Sequence, residues 1–122
     1  EIPPEKIFLG ISNYGYDWPL PFVRGETRGQ SISNQRAIEL AVQYQIAIQY
    51  DETAQAPYFH YTDNAGTVHE VWFEDARSLS ARWKLVREYG LRGALYWNFD
   101  RPNPQNLALL NQLLYPAAMN LW

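Results

Sequence analysis

Two apolar runs, KIFLGI at residues 6–11 and GALYWNF at residues 93–99, set the tightest limit on what this chain can fold into. Neither alternates polar with apolar residues, so neither suits a strand with one wet face. Each suits a strand covered on both faces, as in a parallel sheet. The long stretch between them is the length a right-handed crossover needs. In open parallel sheets, ligands bind outside the carboxyl ends of the strands. Here those ends are NYGYDW, residues 13–18, and WNFD, residues 97–100. Two strongly aromatic junctions are therefore expected on one edge.

Between the runs the periodicity changes twice. Residues 17–32, DWPLPFVRGETRGQSI, carry two Pro and two Gly and read as a long loop that begins once the first strand has ended near Gly15. SNQRAIELAVQYQ then places Ala37, Ile38, Ala41 and Val42 on one helical stripe, with Ser33 as N-cap. From Ile46 the period is two: IAIQYDE, PYFHYTD and TVHEVWFED read as short strands, with DNAG supplying a hairpin turn. Ser78 opens a second predicted helix, SLSARWKLVREYG, in which Leu79, Trp83 and Val86 share a face and Gly90 stands at the C-terminal end. After GALYWNF, Asn103 and Pro104 start a third helix, NPQNLALLNQLL, with which the chain is expected to end. The order predicts an α/β unit with an α+β module inserted after its first strand.

At 122 residues the chain suits one structural unit, since domains are commonly about 100 to 150 residues. The formal charge of −3 is spread along it without a run of Lys or Arg, so no nucleic-acid partner is expected. With no cysteine, disulfides, thiol nucleophiles and thiolate metal sites are excluded, while the compartment stays open. No 18-residue apolar window occurs, and the first residues, EIPPEK, lack the regions of a signal peptide, so no membrane span and no address are expected. Five Trp and nine Tyr are more rings than a core of this size needs. Such side chains suit a surface that is both apolar and hydrogen-bonding, as sugar-binding and protein-binding surfaces are, and a core rich in Tyr and Trp is the alternative.

The motifs resemble those of the family 18 glycoside hydrolases. KIFLGISNYGYDW resembles the family's seventh barrel strand, K-x-x-x-G-x-P-x-Y-G followed by Arg or Tyr and an aromatic residue. PYFHYTDNAGTVHEVWFEDARS resembles the end of its inserted α+β domain, and EYGLRGALYWNFD its eighth strand. YGYDW with VWFEDARS is most similar to bacterial spore-cortex and cell-wall N-acetylglucosaminidases of the YaaH and SleL kind. The resemblance implies a C-terminal fragment of a TIM (β/α)8 barrel, strands seven and eight, plus the chitinase insertion domain. Residues 1–18 would be strand seven and its loop, 19–77 the inserted module, and 78–122 helix seven, strand eight and helix eight. Ser12 stands where many members have proline, and Arg82 where many have lysine. The fourth-strand signature D-x-x-D-x-D-x-E, which holds the family's acid, is absent from these residues.

The resemblance also assigns candidate residues. Trp97 matches the tryptophan that floors the sugar subsite beside the cut bond, where an indole face stacks on pyranose C–H bonds. Tyr14 matches the motif tyrosine and Tyr16 replaces an arginine; each phenol either hydrogen-bonds a sugar hydroxyl or seals the top layer of the barrel. Asp17 either receives a sugar hydroxyl or caps a loop turn, and the turn is favoured. Trp18 falls in the predicted loop, and Trp72 reads as core. Glu74 and Asp75 are adjacent carboxylates, but successive strand residues face opposite ways, so they do not converge as acid and base; Asp75 instead supports the start of the helix near Ser78. His60 and His69 would face each other only in one hairpin register, and two histidines alone do not make a zinc site. No catalytic residue, metal or cofactor is therefore expected in this chain.

What the resemblance implies for function is the C-terminal portion of an enzyme cleaving β-1,4-linked N-acetylglucosamine polymers, peptidoglycan or chitin, in the cell wall or spore envelope outside the cell. In that family the substrate's own 2-acetamido group attacks the anomeric carbon while a glutamate protonates the leaving oxygen. This chain would supply pocket walls and not the acid, and on its own it would be inactive. A non-catalytic, lectin-like carbohydrate-binding module is the alternative, and a structural fragment whose rings serve assembly is a third reading. Barrel strands without their neighbours leave unpaired edges and bare apolar faces, so the isolated fragment is expected to self-associate as a dimer.

Overall fold

The structure, a computed structural model, describes residues 1–114. After a short 3-10 turn at Pro4–Lys6, the elements run β1 (Phe8–Ser12), β2 (Gly15–Pro19), β3 (Gln30–Ile32), α1 (Asn34–Gln43), β4 (Gln49–Asp51), β5 (Ala56–Thr62), β6 (Val68–Trp72), α2 (Ala76–Glu88), β7 (Gly93–Trp97) and α3 (Pro104–Leu114). Two sheets result. β1 and β7 form a parallel pair in register from Phe8 beside Gly93 to Ser12 beside Trp97. The other five strands form a sheet in the order β3-β2-β6-β5-β4, antiparallel at each described pairing.

The second sheet corrects part of the sequence reading. Residues 17–32 are not one loop: Asp17, Trp18 and Pro19 belong to β2, which pairs β6 on one side and β3 on the other. The two Pro and two Gly that suggested a loop fall mostly in the β2–β3 connection, and Pro19 takes the last position of its strand, where a missing N–H matters least. The five-stranded sheet therefore reaches back to Gly15. That glycine is required by packing: a Cβ there would lie 2.4 Å from the Trp72 carbonyl oxygen and 2.7 Å from the Phe73 Cβ.

One face of this sheet is closed by α1. Ser33 caps that helix as expected, its Oγ accepting from the Arg36 N–H at 3.0 Å. The buried stripe is Ala37, Leu40 and Ala41, packed on Phe59, Tyr61, Val71 and Phe73. Val42, expected on that stripe, is 72% exposed; the helix is turned so that the i, i+3, i+4 set beginning at Ala37 faces the sheet. The β5–β6 turn at Asp63–Thr67 is held by the Asp63 side chain, which accepts from the Ala65 and Thr67 amides.

The parallel pair is covered by α2 and α3. α2 begins one turn earlier than expected: Asp75 is the N-cap and accepts from the Arg77 and Ser78 amides, while the Ser78 Oγ accepts from the Asp75 amide in return. Leu79 and Val86 are buried, and the Trp83 indole donates to the Tyr96 hydroxyl at 3.2 Å. Gly90 ends the helix at φ +61, the left-handed position that favours glycine. Asn103 caps α3 and Pro104 opens it, as expected. The end of the chain after Leu114, read from sequence as part of the last helix unit, lies outside the described residues.

Covering on both faces, the expectation for both apolar runs, is met on one face only. Ile11 is buried, but Phe8, Leu95 and Trp97 are exposed, because the described helices cover a single side of the pair.

Candidate carbohydrate site at the strand ends

The parallel register brings Ser12 alongside Trp97, so the two aromatic junctions meet on one edge, as the sequence pattern requires. Asn13 locks that meeting. Its amide N–H donates to the Trp97 carbonyl at 2.8 Å, and its Nδ2 donates to the carbonyls of Asn98 at 3.1 Å and Arg101 at 2.6 Å. Its Oδ1 accepts from the Asn103 side chain at 3.1 Å. A single buried side chain therefore ties β1, the end of β7 and the start of α3 together. Sequence reasoning passed over Asn13 because its neighbours are rings. The available signal was a short amide placed where a buried strand gives way to a loop.

Trp97 leaves this junction with 72% of its surface exposed, so the indole is not core of this chain. Tyr14 and Tyr16 follow from β1 into β2 and meet edge to face at 5.7 Å between ring centres. The Arg101 guanidinium lies 5.9 Å from the centre of the Tyr14 ring and donates to the Ser31 hydroxyl at 2.8 Å. The row continues through Trp18, 5.6 Å from Tyr16, to Phe22 at 5.9 Å. A hollow of about 270 Å³ opens beside it, lined by Ser12, Tyr14, Tyr16, Trp18, Trp72 and Glu74 among others. A larger cavity, about 590 Å³, lies between α1 and the start of α3 and includes none of Trp97, Tyr14, Tyr16 or Asp17.

Asp17 neither caps a turn nor reaches for a ligand. It alternates with Tyr16 and Trp18 in β2, so it points to the α1 side of the sheet, where it is 8% exposed. Its Oδ2 accepts from the Tyr61 hydroxyl at 2.6 Å, and its Oδ1 meets the His69 Nδ1 at 2.7 Å. The other ring nitrogen of His69 lies 3.0 Å from the Asp63 Oδ2, and the imidazole stacks on the Tyr61 ring at 4.7 Å. Burial pulls the His69 pKa down, but the hydrogen bonds and charges of Asp63 and Asp17 outweigh it and hold the imidazole above its ordinary value. Burial and the hydrogen bond to Asp17 push the Tyr61 phenol up. His60 does not face His69; the register sets His60 beside Glu70 and His69 beside Tyr61.

Trp72, read from sequence as core, stands with Tyr16 and Tyr58 on the face opposite α1, where it stacks on Tyr58 at 4.7 Å. Glu74 and Asp75 have separate duties. The Glu74 Oε1 pairs with Arg82 at 3.2 Å, and Asp75 caps α2 and meets the Arg77 guanidinium at 2.8 Å. Among the described residues, no group of three or more His, Asp or Glu side chains is placed to hold a metal ion, and no helix is long and apolar enough to cross a membrane.

Known proteins match along the same stretch. The family model for glycosyl hydrolases family 18 matches residues 1–101. The cortical fragment-lytic enzyme of Bacillus subtilis (strain 168) is 50% identical over 111 residues, which are 91% of this chain and 26% of that protein. The di-N-acetylchitobiase of Rattus norvegicus is 34% identical over 115 residues, 80% of this chain and 31% of that protein. The crystal structure of the spore cortex-lytic enzyme SleL from Bacillus megaterium QM B1551 superposes with a TM-score of 0.86 at 52% identity, covering 91% of this chain and 26% of that one. The chain thus spans between a quarter and a third of the length of these proteins. The matched residues contain β1, the five-stranded sheet, α2 and β7 with Trp97, and on that basis the chain belongs to the glycosyl hydrolases of family 18.

Proposed function

We propose that this chain is the C-terminal part of a glycosidase that cleaves β-1,4-linked N-acetylglucosamine polymers, peptidoglycan before chitin, outside the cell in the wall or spore envelope. In this reading β1 and β7 are the seventh and eighth strands of a (β/α)8 barrel. The five-stranded sheet with α1 is the inserted module, and α2, β7 and α3 complete the barrel's end. The observation that carries the reading is the indole of Trp97, held at a strand end by the Asn13 bonds yet left bare by its own chain. A ring fixed and exposed in that way offers a face for pyranose C–H bonds. Tyr14 and Tyr16 stand next to it as walls with phenol hydroxyls. Peptidoglycan is favoured over chitin by what two relatives are, a cortical fragment-lytic enzyme and a spore cortex-lytic enzyme.

The cut would be substrate-assisted. The acetamido oxygen attacks the anomeric carbon, the bond to the leaving oxygen breaks, and an acid supplied from elsewhere in the protein gives that oxygen its proton. This chain's part is to hold the sugar so that the attack is in line, which is a positioning effect. The Glu74 Oε1 pairs with Arg82 and Asp75 caps the α2 N-terminus, and neither is the proton donor in this reading. The test is Trp97→Ala in the full-length protein that carries this chain, assayed on a chromogenic N-acetylglucosaminide. A loss of kcat/KM at least tenfold greater than that of Trp72→Ala, at equal stability, is expected. Equal losses would make Trp97 ordinary packing, and binding of the oligosaccharide without turnover by the unmutated protein would favour the lectin-like alternative.

A further inference from the structure

Arg101 sets a cation among the rings of the strand-end site, and the proposed reaction gives it no task. Its backbone is fixed by Asn13, whose Nδ2 donates to the Arg101 carbonyl at 2.6 Å. Its side chain crosses from the β7–α3 connection to β3, where a guanidinium N–H donates to the Ser31 hydroxyl at 2.8 Å. Ser31 pairs with Tyr16 in the β2–β3 register, and residues directly opposite one another share a face of the sheet. The hydroxyl that Arg101 reaches is therefore on the Tyr16 side, not on the side where Asp17 is buried. The guanidinium carbon lies 5.9 Å from the centre of the Tyr14 ring, which meets Tyr16 edge to face. The charge thus borders the two phenols proposed as walls of the sugar site.

Packing does not require a charge there. A single hydrogen bond to an exposed hydroxyl contributes little to stability, and it uses one of the several N–H donors of a guanidinium. Arg36, Arg77 and Arg82 each pair with a carboxylate, whereas among the described residues no carboxylate lies within ion-pair distance of Arg101. The carboxylate of Glu70, on the same face, stands on β6, two strands from β3 and so about 10 Å away at the usual spacing, and it is engaged by Trp72 and His60. A guanidinium with parallel donors to spare matches a planar carboxylate, which takes two N–H bonds at once. The two candidate polymers differ in this respect. A chain of N-acetylglucosamine alone is neutral, whereas the muramyl residues of peptidoglycan carry a lactyl ether that ends in a carboxylate or in a peptide with carboxylates of its own.

We propose that Arg101 is a specificity-determining residue that binds a carboxylate borne by the glycan, so that the site prefers an anionic polymer to a neutral one. The inference rests on the reading of Trp97 and Tyr14 as a sugar site, and its test separates the two. In the full-length protein, kcat/KM is measured on a peptide-free tetramer that alternates N-acetylglucosamine with N-acetylmuramic acid, and on the same tetramer with its lactyl carboxylates converted to methylamides. The quantity read is the ratio of acid to methylamide. A ratio of about ten is expected for the unmutated protein, falling to about one in Arg101→Gln and to about three in Arg101→Lys, which keeps the charge but not the fork. Added salt should shrink the ratio in the unmutated protein and leave it unmoved in Arg101→Gln. A third substrate, the tetramer extended by alanyl-glutamate on its lactyl groups, tells the two sources apart: an Arg101-dependent preference confined to it assigns the carboxylate to the peptide. Trp97→Ala should depress all the substrates and leave the ratio near its original value. A ratio near one for both acidic substrates in the unmutated protein overturns the inference while leaving Trp97 in place. So does a ratio unmoved by Arg101→Gln, with all substrates falling alike in that variant and in Ser31→Ala, which would make Arg101 a tether. If no substrate is turned over, the proposed activity has failed, and the same ratio read as dissociation constants by calorimetry still decides whether Arg101 binds a carboxylate.

Discussion

His69 is the residue with the most demanding surroundings. Both ring nitrogens meet carboxylates, Asp17 from β2 and Asp63 from the β5–β6 turn, so the arrangement is satisfied only when both nitrogens carry protons. The folded pKa lies above the ordinary histidine value. The clasp therefore stabilises the fold fully below that ordinary value, about 6.5, and its contribution is lost as pH rises through the raised folded value. The facing groups are Asp17, Asp63 and the Tyr61 phenol, with Tyr44, just after α1, packed on Tyr61 at 4.7 Å. His69→Gln should cost about 1–3 kcal/mol at pH 6, because it leaves the buried Asp17 short of a partner. The stability difference between the two proteins should shrink toward alkaline pH. Urea titrations of both from pH 5 to pH 9 measure it, and a difference that grows with pH would mean the ring is held neutral. The same contacts fix Asp17 between Tyr16 and Trp18, so the clasp also sets where those rings stand.

At the scale of elements, β2 decides the architecture, because it turns the chain from the parallel pair into the second sheet. Its first residue lies so close to β6 that only glycine fits: Gly15→Ala would place a methyl 2.4 Å from the Trp72 carbonyl oxygen, whereas an alanine at Gly10 of β1 would meet nothing within 4 Å in this chain. Gly15→Ala is expected to destabilise by about 1–3 kcal/mol, the usual cost of overpacking, and Gly10→Ala by much less. Denaturation of the two variants side by side checks it, and equal midpoints would contradict the close approach. β2 is also where the sequence was least legible. Pro19 and Pro21 read as loop chemistry, and alternation over five residues, GYDWP, is hidden when four of the five are Gly, Pro or rings. The helices were legible because Ser33, Asp75, Gly90 and Asn103 do local work that needs no tertiary information. The stripe of α1 was misplaced at Val42, since periodicity gives an amphipathic helix without saying which of two neighbouring apolar rows meets the sheet. The position of Trp97 at a strand end was legible through its motif, and its exposure is what the structure adds. The duties of Asp17, Asn13 and Trp72 were not, because each depends on a strand register that single-sequence patterns do not specify.

At the scale of the whole molecule, one side of the β1–β7 pair is bare. Ile7, Phe8, Leu95, Trp97 and Phe99 are exposed together along or beside it, more apolar surface than an isolated chain keeps in water without a partner. The isolated 122-residue chain should therefore self-associate, as a symmetric dimer that buries this face, while the five-stranded sheet keeps its packing on α1. Sedimentation equilibrium at micromolar concentration should return twice the monomer mass of 14.2 kDa. A stable monomer would show that the chain covers the face by itself. In the proposed reading this bare side faces the remaining strands of a barrel, which would bring the acid. We have proposed that these residues are walls of a sugar site without a proton donor. The most direct test is release of product from a chromogenic N-acetylglucosaminide by the purified 122-residue chain, beside the full-length protein at equal molarity. Turnover by the full-length protein and none by the chain is expected; turnover by the chain, abolished by Glu74→Gln, would contradict the proposal.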